Sequence, residues 1–368
     1  MSRLQTLHDA GVSIWLDTLS RELLDSGAFA ELIADYAVTG ATSNPTIFAK
    51  AITGSDRYDE QLSAAAASGT RDPQELFFEL ALEDVGRAAD LLRAIHDESG
   101  GRDGFVSLEC TPDLADDTEA TIEQAQELWS RLDRPNVMIK VPATEAGIPA
   151  IEELTARGIN VNVTLLFSLS RYEQVIDAYV GGLERRVAAG LPVDPISSVA
   201  SFFVSRVDGK VDALLPAGSD LRGRMAIANA RRAYARYLER FAGERWSALR
   251  DRGARPQRPL WASTGTKDPF YSDVLYVEEL IAPDVVNTMP EATLRAFADH
   301  GRTGSAIGPD VSSADETLGR AAEAGVDLAA VTAGLEREGV SSFCDSYREL
   351  LGCVESKLRT TTAGPAGV

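Results

Sequence analysis

Eight short apolar or β-branched runs recur along the chain, separated by stretches of helical periodicity. This alternation limits the fold more than any other feature. The runs cover residues 13–17, 37–41, 105–109, 137–141, 159–164, 198–203, 259–263 and 284–287. Helical patterns lie between them, for example over 118–132, 170–189 and 221–241. Parallel strands need helical crossovers, and eight alternating β and α units close into a (β/α)8 barrel of the α/β class. Two long gaps, 47–101 and 208–256, place extra helices after the second and sixth strands, and residues 290–357 read as several further helices. Residues 1–358 are expected to form one barrel domain with helical insertions. The tail 359–368, rich in Thr and Gly, is expected to be disordered.

The strands carry a second signal. Side chains alternate faces along a strand. In Asn160-Val161-Asn162-Val163-Thr164 the even positions are polar and the odd ones β-branched. Helices cover the outside of a barrel, so the polar face points inward. The same parity pairs Ser107 with Glu109 and Met138 with Lys140. Lys140 then lies inside the barrel, toward the C-terminal end of the fourth strand, where such barrels keep their chemistry. A buried lysine is costly unless paired, and burial favours the neutral amine, a nucleophile toward carbonyl compounds. The competing readings are a solvated lysine on an edge strand and an antiparallel sheet with one wet face. The regular helix spacing speaks against both.

Charge and composition narrow the function. The 368 residues carry a formal net charge of −20, which disfavours nucleic acid or an anionic membrane as a partner. Any cations that bind an anion must therefore be concentrated locally. The three cysteines, Cys110, Cys344 and Cys353, show no CxxC spacing and read as reduced thiols of a cytoplasmic protein. His8, His96 and His300 are far apart. No metal site and no cofactor is expected. The N-terminus lacks a signal-type run, and no apolar stretch is long enough to span a membrane. Monomer and homodimer both stay open.

Gly40-Ala41-Thr42-Ser43-Asn44-Pro45 reads as a tight strand-to-helix turn with Pro at the helix start, putting Thr42, Ser43 and Asn44 at the barrel mouth. With Asp17 at the end of the first strand, this turn is followed in order by Val106-Ser107-Leu108-Glu109, Val137-Met138-Ile139-Lys140-Val141-Pro142, residues 158–168, and Ala200-Ser201-Phe202-Phe203-Val204-Ser205-Arg206-Val207-Asp208. The set resembles transaldolases, the Schiff-base enzymes of the pentose phosphate pathway. The segment Leu260-Trp261-Ala262-Ser263-Thr264-Gly265-Thr266-Lys267 and the chain length resemble the longer bacterial branch.

The resemblance implies a metal-independent transferase that moves a dihydroxyacetone unit between sugar phosphates. It makes Lys140 the Schiff-base lysine and Asp17 the acid/base for the C4 hydroxyl. It assigns Glu109 and Thr164 to a catalytic water. Asn44 and Asn162 would hold the dihydroxyacetone hydroxyls, with Ser201 as a further hydroxyl contact and Phe203 as an aromatic beside the reaction centre. Arg206 would bind phosphate. The commoner family pattern places a second arginine two residues after the serine of the seventh strand, here Ser263. That position is Gly265, and Lys267 is the candidate replacement. Asp17 as a helix cap, Glu109 as a structural ion-pair partner and Lys267 as an exposed loop lysine stay open. So do two other functions: an aldolase that releases dihydroxyacetone, and a silent sugar-phosphate-binding barrel. The stretch 301–309 reads as a connecting loop, and Trp15, Tyr271 and Tyr276 as core or rim packing.

Overall fold

The computed structural model describes residues 2–362, with side chains as far as Arg359. Eight parallel strands close into a barrel in sequence order, with the last strand pairing with the first. They are β1 (Val12–Leu16), β2 (Val38–Thr42), β3 (Val106–Glu109), β4 (Val137–Pro142), β5 (Val161–Leu166), β6 (Ser198–Phe203), β7 (Arg258–Ala262) and β8 (Val285–Met289). The strands are buried on both faces because the helices Thr118–Leu132, Gly147–Arg157, Leu169–Ala188 and others cover the outside. Each expected run contains or overlaps one strand, and boundary differences are one or two residues.

Register turns the sequence parity into geometry. Glu109 on β3 stands beside Lys140 on β4, which stands beside Asn162 on β5. Asn162 Nδ2 donates to Ser107 Oγ at 2.9 Å, reaching from β5 past β4 to β3. Such a bond can run only through the barrel interior, so the even-numbered polar face of β5 points inward. Asn160 lies one residue before β5, at the opposite end from Lys140. Its Nδ2 donates to the carbonyls of Pro135 and Val137, and its Oδ1 accepts from Ser197 N, tying the bottom turns together.

The alternation breaks after Thr164. Pairing of β5 with β6 shifts between Val163 and Leu166, and Leu165 adopts a left-handed φ of 56°. A bulge of this kind re-aims neighbouring side chains, and bulges gather beside active sites.

The extra helices fall where the gaps place them. After β2 come Pro45–Thr53, Asp59–Ser68, Pro73–Leu91 and Arg93–Glu98; after β6 come Ser205–Leu214, Met225–Arg240 and Glu244–Arg250. Beyond β8, Leu328–Thr362 forms one 35-residue helix that returns across the barrel mouth. It meets the first insertion through Thr46 Oγ1 to Ser346 Oγ, 2.8 Å, and Lys357 Nζ to Asp59 Oδ1, 2.6 Å. A Cβ at Gly339 would come within 2.9 Å of Leu165 Cδ2, so this glycine lets the helix settle onto the bulge. Residues 359–362 continue the helix, which corrects the expected start of a disordered tail at residue 359. A helix with tertiary contacts along its length propagates past its last anchor at little cost. The rest of that tail, 363–368, lies outside the described residues.

One buried ion pair pins the first insertion to the barrel. Arg21 Nε donates to Asp84 Oδ1 at 2.8 Å, and the Tyr58 hydroxyl donates to Asp84 Oδ2 at 2.9 Å while accepting from Arg21 N. Asp84 is fully buried, and burial raises its pKa against the pull of Arg21. Removing one partner of such a pair strands the other. Arg21→Ala should cost about 3 kcal/mol or more, read by urea unfolding. A loss within the surface-pair range, under about 1 kcal/mol, would mean that the anchor is not here.

Candidate active site

The C-terminal ends of the strands surround a cavity of about 510 Å³. Asp17, Thr42, Asn44, Lys140, Thr164, Ser201, Phe203, Arg206, Ser263 and Lys267 all line it, although they come from six strands and the segments that follow them. Closure of the sheet brings these residues together across 251 positions of sequence, from 17 to 267.

Lys140 forms the floor. Its side chain is only 7% exposed and that of Glu109 only 6%. Nζ donates to the Ser43 carbonyl at 3.0 Å and stands 3.5 Å from Glu109 Oε2. The latter is an ion-pair distance rather than a good hydrogen bond. Glu109 Oε2 and Thr164 Oγ1 are buried and have no hydrogen-bond partner. Buried polar atoms are rarely left so, and an interior water is the common remedy. Burial pushes the Glu109 carboxyl up to about 6, against the opposing pull of Lys140. That value suits a group that exchanges a proton near neutral pH.

Asp17 follows β1 directly and is half-buried on the opposite side of the mouth. It accepts from Thr42 Oγ1 at 3.0 Å, and Thr42 also meets Thr288 Oγ1 at 2.8 Å. Asp17 caps no helix. Burial raises its pKa, while Lys140, Thr42 and Arg206 oppose the shift. Asn44 does cap the helix Pro45–Thr53: its Oδ1 accepts from Ile47 N at 3.0 Å, and Pro45 occupies the first helical position. The cap fixes the amide and leaves Nδ2 as its donor group.

Asn162 and Glu109 are brought next to Lys140 but do not line the cavity. Asn162 is fully buried, donating to Ser107 and accepting from Ser201 Oγ at 2.6 Å. It therefore holds Ser201 in place, and it is Ser201 that faces the cavity. Phe203 stacks near Phe167, with ring centroids 5.2 Å apart, and carries the Arg206 guanidinium 5.0 Å above its ring.

Arg206 and Lys267 make no ion pair within the protein among the described residues. Burial lowers the pKa of the half-buried Arg206; Lys267 is exposed on its loop while lining the cavity, and partial desolvation and the Arg206 charge lower its pKa. Two cations without an ion-pair partner, both lining the cavity, concentrate positive charge there in an otherwise acidic molecule, an arrangement able to hold an anion. Gly265, where a second arginine was sought, packs against Thr293 and Pro290; a Cβ there would meet Thr293 Oγ1 at 3.3 Å. Ser263 has a left-handed φ of 57° and shares a 2.9 Å hydrogen bond with Ser205. Backbone in this region is strained for a non-glycine residue and is often found at functional sites.

Sequence reasoning missed several lining residues. Thr288 lies on β8 and shares the inward parity of Val286, but the run was closed at Asn287. Phe343 comes from the C-terminal helix and carried no local signal. Lys50, a third cation, lies on the exposed face of the first inserted helix. No group of three or more His, Cys, Asp or Glu among the described residues is placed to hold a metal ion. No helix among them is long and apolar enough to cross a membrane.

A closed (β/α)8 barrel with a solvent-excluded lysine and carboxylates at the C-terminal ends of its strands defines an enzyme. The family profile described as transaldolase/fructose-6-phosphate aldolase matches residues 14–354. The chain belongs to this family, and is a transferase. A transaldolase of Saccharopolyspora erythraea is 53% identical over 361 residues, covering 97% of this chain and 98% of that one. Transaldolases of Frankia alni, 51% identical (98% and 99% covered), and Thermobifida fusca, 52% identical (98% and 100%), are similar over the same span.

A raised carboxyl pKa fixes the sign of a pH effect. Glu109 holds its proton more tightly folded than at its ordinary value of 4.5, so its stabilising contribution is full below 4.5 and lost as pH rises through about 6. The stability of the wild-type protein relative to Glu109→Gln should therefore fall across that window in denaturant titrations. A difference independent of pH would contradict the placement of this carboxyl.

Proposed function

We propose that the protein transfers dihydroxyacetone from a ketose phosphate, fructose 6-phosphate or sedoheptulose 7-phosphate, to an aldose phosphate through a Schiff base on Lys140. The observation that carries the reading is the solvent-excluded Lys140 amine on the floor of a cavity that also presents Asp17, with Glu109 and Thr164 unsatisfied beside it.

The free amine of Lys140 attacks the C2 carbonyl, giving a carbinolamine. Glu109 and Thr164 hold the water through which the carbinolamine hydroxyl takes up a proton and leaves, giving the protonated imine. Asp17 accepts the C4 hydroxyl proton. The C3–C4 electron pair flows into the imine, and the shortened aldehyde departs, leaving an enamine on Lys140. An acceptor aldehyde then reverses the sequence: C3 attacks it, Asp17 returns the proton to the new hydroxyl, and water releases the product ketose. The raised pKa of Asp17 strengthens it as the base that takes the C4 hydroxyl proton. Asn44 and Ser201 hold the three-carbon unit, Asn162 orients Ser201, and Phe203 shields the enamine. Arg206 and Lys267 take the phosphate, since charge-assisted hydrogen bonds favour that anion. The free state of Cys110, Cys344 and Cys353 fits a cytoplasmic setting.

The experiment separates transfer from release. With fructose 6-phosphate alone, the reading predicts a burst of about one equivalent of glyceraldehyde 3-phosphate per site, and steady turnover once erythrose 4-phosphate is added. Lys140→Met should lose about three orders of magnitude or more in kcat, and Asp17→Asn about two to four. Continuous turnover without acceptor would make the protein an aldolase. Unchanged rates in Lys140→Met would remove the mechanism.

A further inference from the structure

The segment after β7 carries Lys267, and it is pinned on both sides. Upstream, Thr264 Oγ1 donates to Asn287 Oδ1 at 2.9 Å and to the Thr288 carbonyl at 3.2 Å. Downstream, the Tyr271 hydroxyl donates to Asp212 Oδ2 at 2.6 Å and the Tyr276 hydroxyl to Asp208 Oδ2 at 2.8 Å. Both aspartates stand on the helix Ser205–Leu214, four residues apart and so on one face. The same helix supplies Arg206. One short element therefore presents one phosphate cation and holds the segment that presents the other.

The acids are themselves an electrostatic hazard. A second cavity, of about 690 Å³, is lined by Asp208, Asp212, Tyr271 and Tyr276, and it shares Arg206 and Lys267 with the catalytic cavity. The two cations thus stand in the wall between the hollows, with two buried aspartates beyond them. An aspartate with a free oxygen there would compete with phosphate for Lys267. All four oxygens are occupied. Asp208 Oδ1 accepts from Ala226 N at 2.8 Å and Asp212 Oδ1 from Gly223 N at 3.0 Å, and the tyrosines take the other two. The Tyr271 ring is seated tightly: Gly223 has φ 72°, and a Cβ there would fall 2.8 Å from the ring.

We propose that Tyr271 and Tyr276 are positioning residues for phosphate recognition. Their hydroxyls satisfy Asp212 and Asp208, so that these acids hold the Lys267 segment in place without pairing with Lys267 or Arg206. The inference rests on the reading of those two cations as the phosphate site. It reaches further by assigning substrate affinity to two phenols that touch no substrate.

Tyr271→Phe keeps the ring and removes the bond. It should raise KM for fructose 6-phosphate and the inhibition constant of inorganic phosphate together, about threefold to tenfold, with kcat within about twofold. Borohydride trapping of dihydroxyacetone, which has no phosphate, should keep its half-saturating concentration. A merely structural lesion would disturb both ligands. In a Lys267→Ala background the same substitution should add less than about twofold, because the group it positions is gone. An equal effect on dihydroxyacetone, or a full effect persisting without Lys267, overturns the proposal. If Lys267→Ala raises both phosphate constants and Tyr271→Phe raises neither, the positioning role alone is wrong. If wild type traps no dihydroxyacetone, or Lys267→Ala changes neither constant, the underlying reading falls and the proposal with it.

Discussion

A lysine amine shut away from solvent beside a carboxylate is the constraint on which the rest of this molecule depends. Lys140 has one neutral acceptor, the Ser43 carbonyl, and one charged neighbour, Glu109. Taking two charged groups out of water costs several kcal/mol per ion unless geometry and hydrogen bonds offset it. Here the offset is incomplete, since Glu109 Oε2 and Thr164 Oγ1 lack partners. A fold that tolerates this arrangement must hold it from several directions. The barrel does so, with β3, β4 and the residue just after β2 each contributing a group and the register fixing their heights.

The mouth is built by elements that the barrel alone would not need. The first insertion delivers the Asn44 cap and rests on the buried Arg21–Asp84 pair. The long C-terminal helix closes over it and contributes Phe343. At the far side, the helix Ser205–Leu214 holds Arg206 among aromatic rings and clamps the Lys267 segment. On the proposed reading the reacting groups lie on strands or directly after them, and the phosphate-binding cations lie on a helix and a tethered loop. Strands give rigid placement of the reacting groups, and loops on a rigid scaffold are where specificity is commonly adjusted.

Much of this was legible in the chain, for identifiable reasons. The alternation of Asn160 to Thr164 announced an inward polar face because strand periodicity is strict. Pro45 after Asn44 announced the helix start because the physics of that turn is local. What stayed hidden was set by distance or by depth. Nothing near Phe343 signals that its helix returns over the mouth. The parity that placed Asn162 inside says nothing about how deep it lies, and it proves to support Ser201 from below the cavity. The tyrosines at 271 and 276 read as packing because their aspartate partners lie in a different insertion. The tail misled because a Thr-rich sequence has no helical signal of its own, while the helix before it has one.

The most direct measurement is borohydride reduction of the protein with fructose 6-phosphate, followed by peptide mass analysis. A Schiff base on the buried amine predicts a reduced three-carbon adduct on the peptide bearing Lys140, and on no other peptide. An adduct on Lys50 or Lys267 instead, or no adduct under conditions that support turnover, would contradict the account.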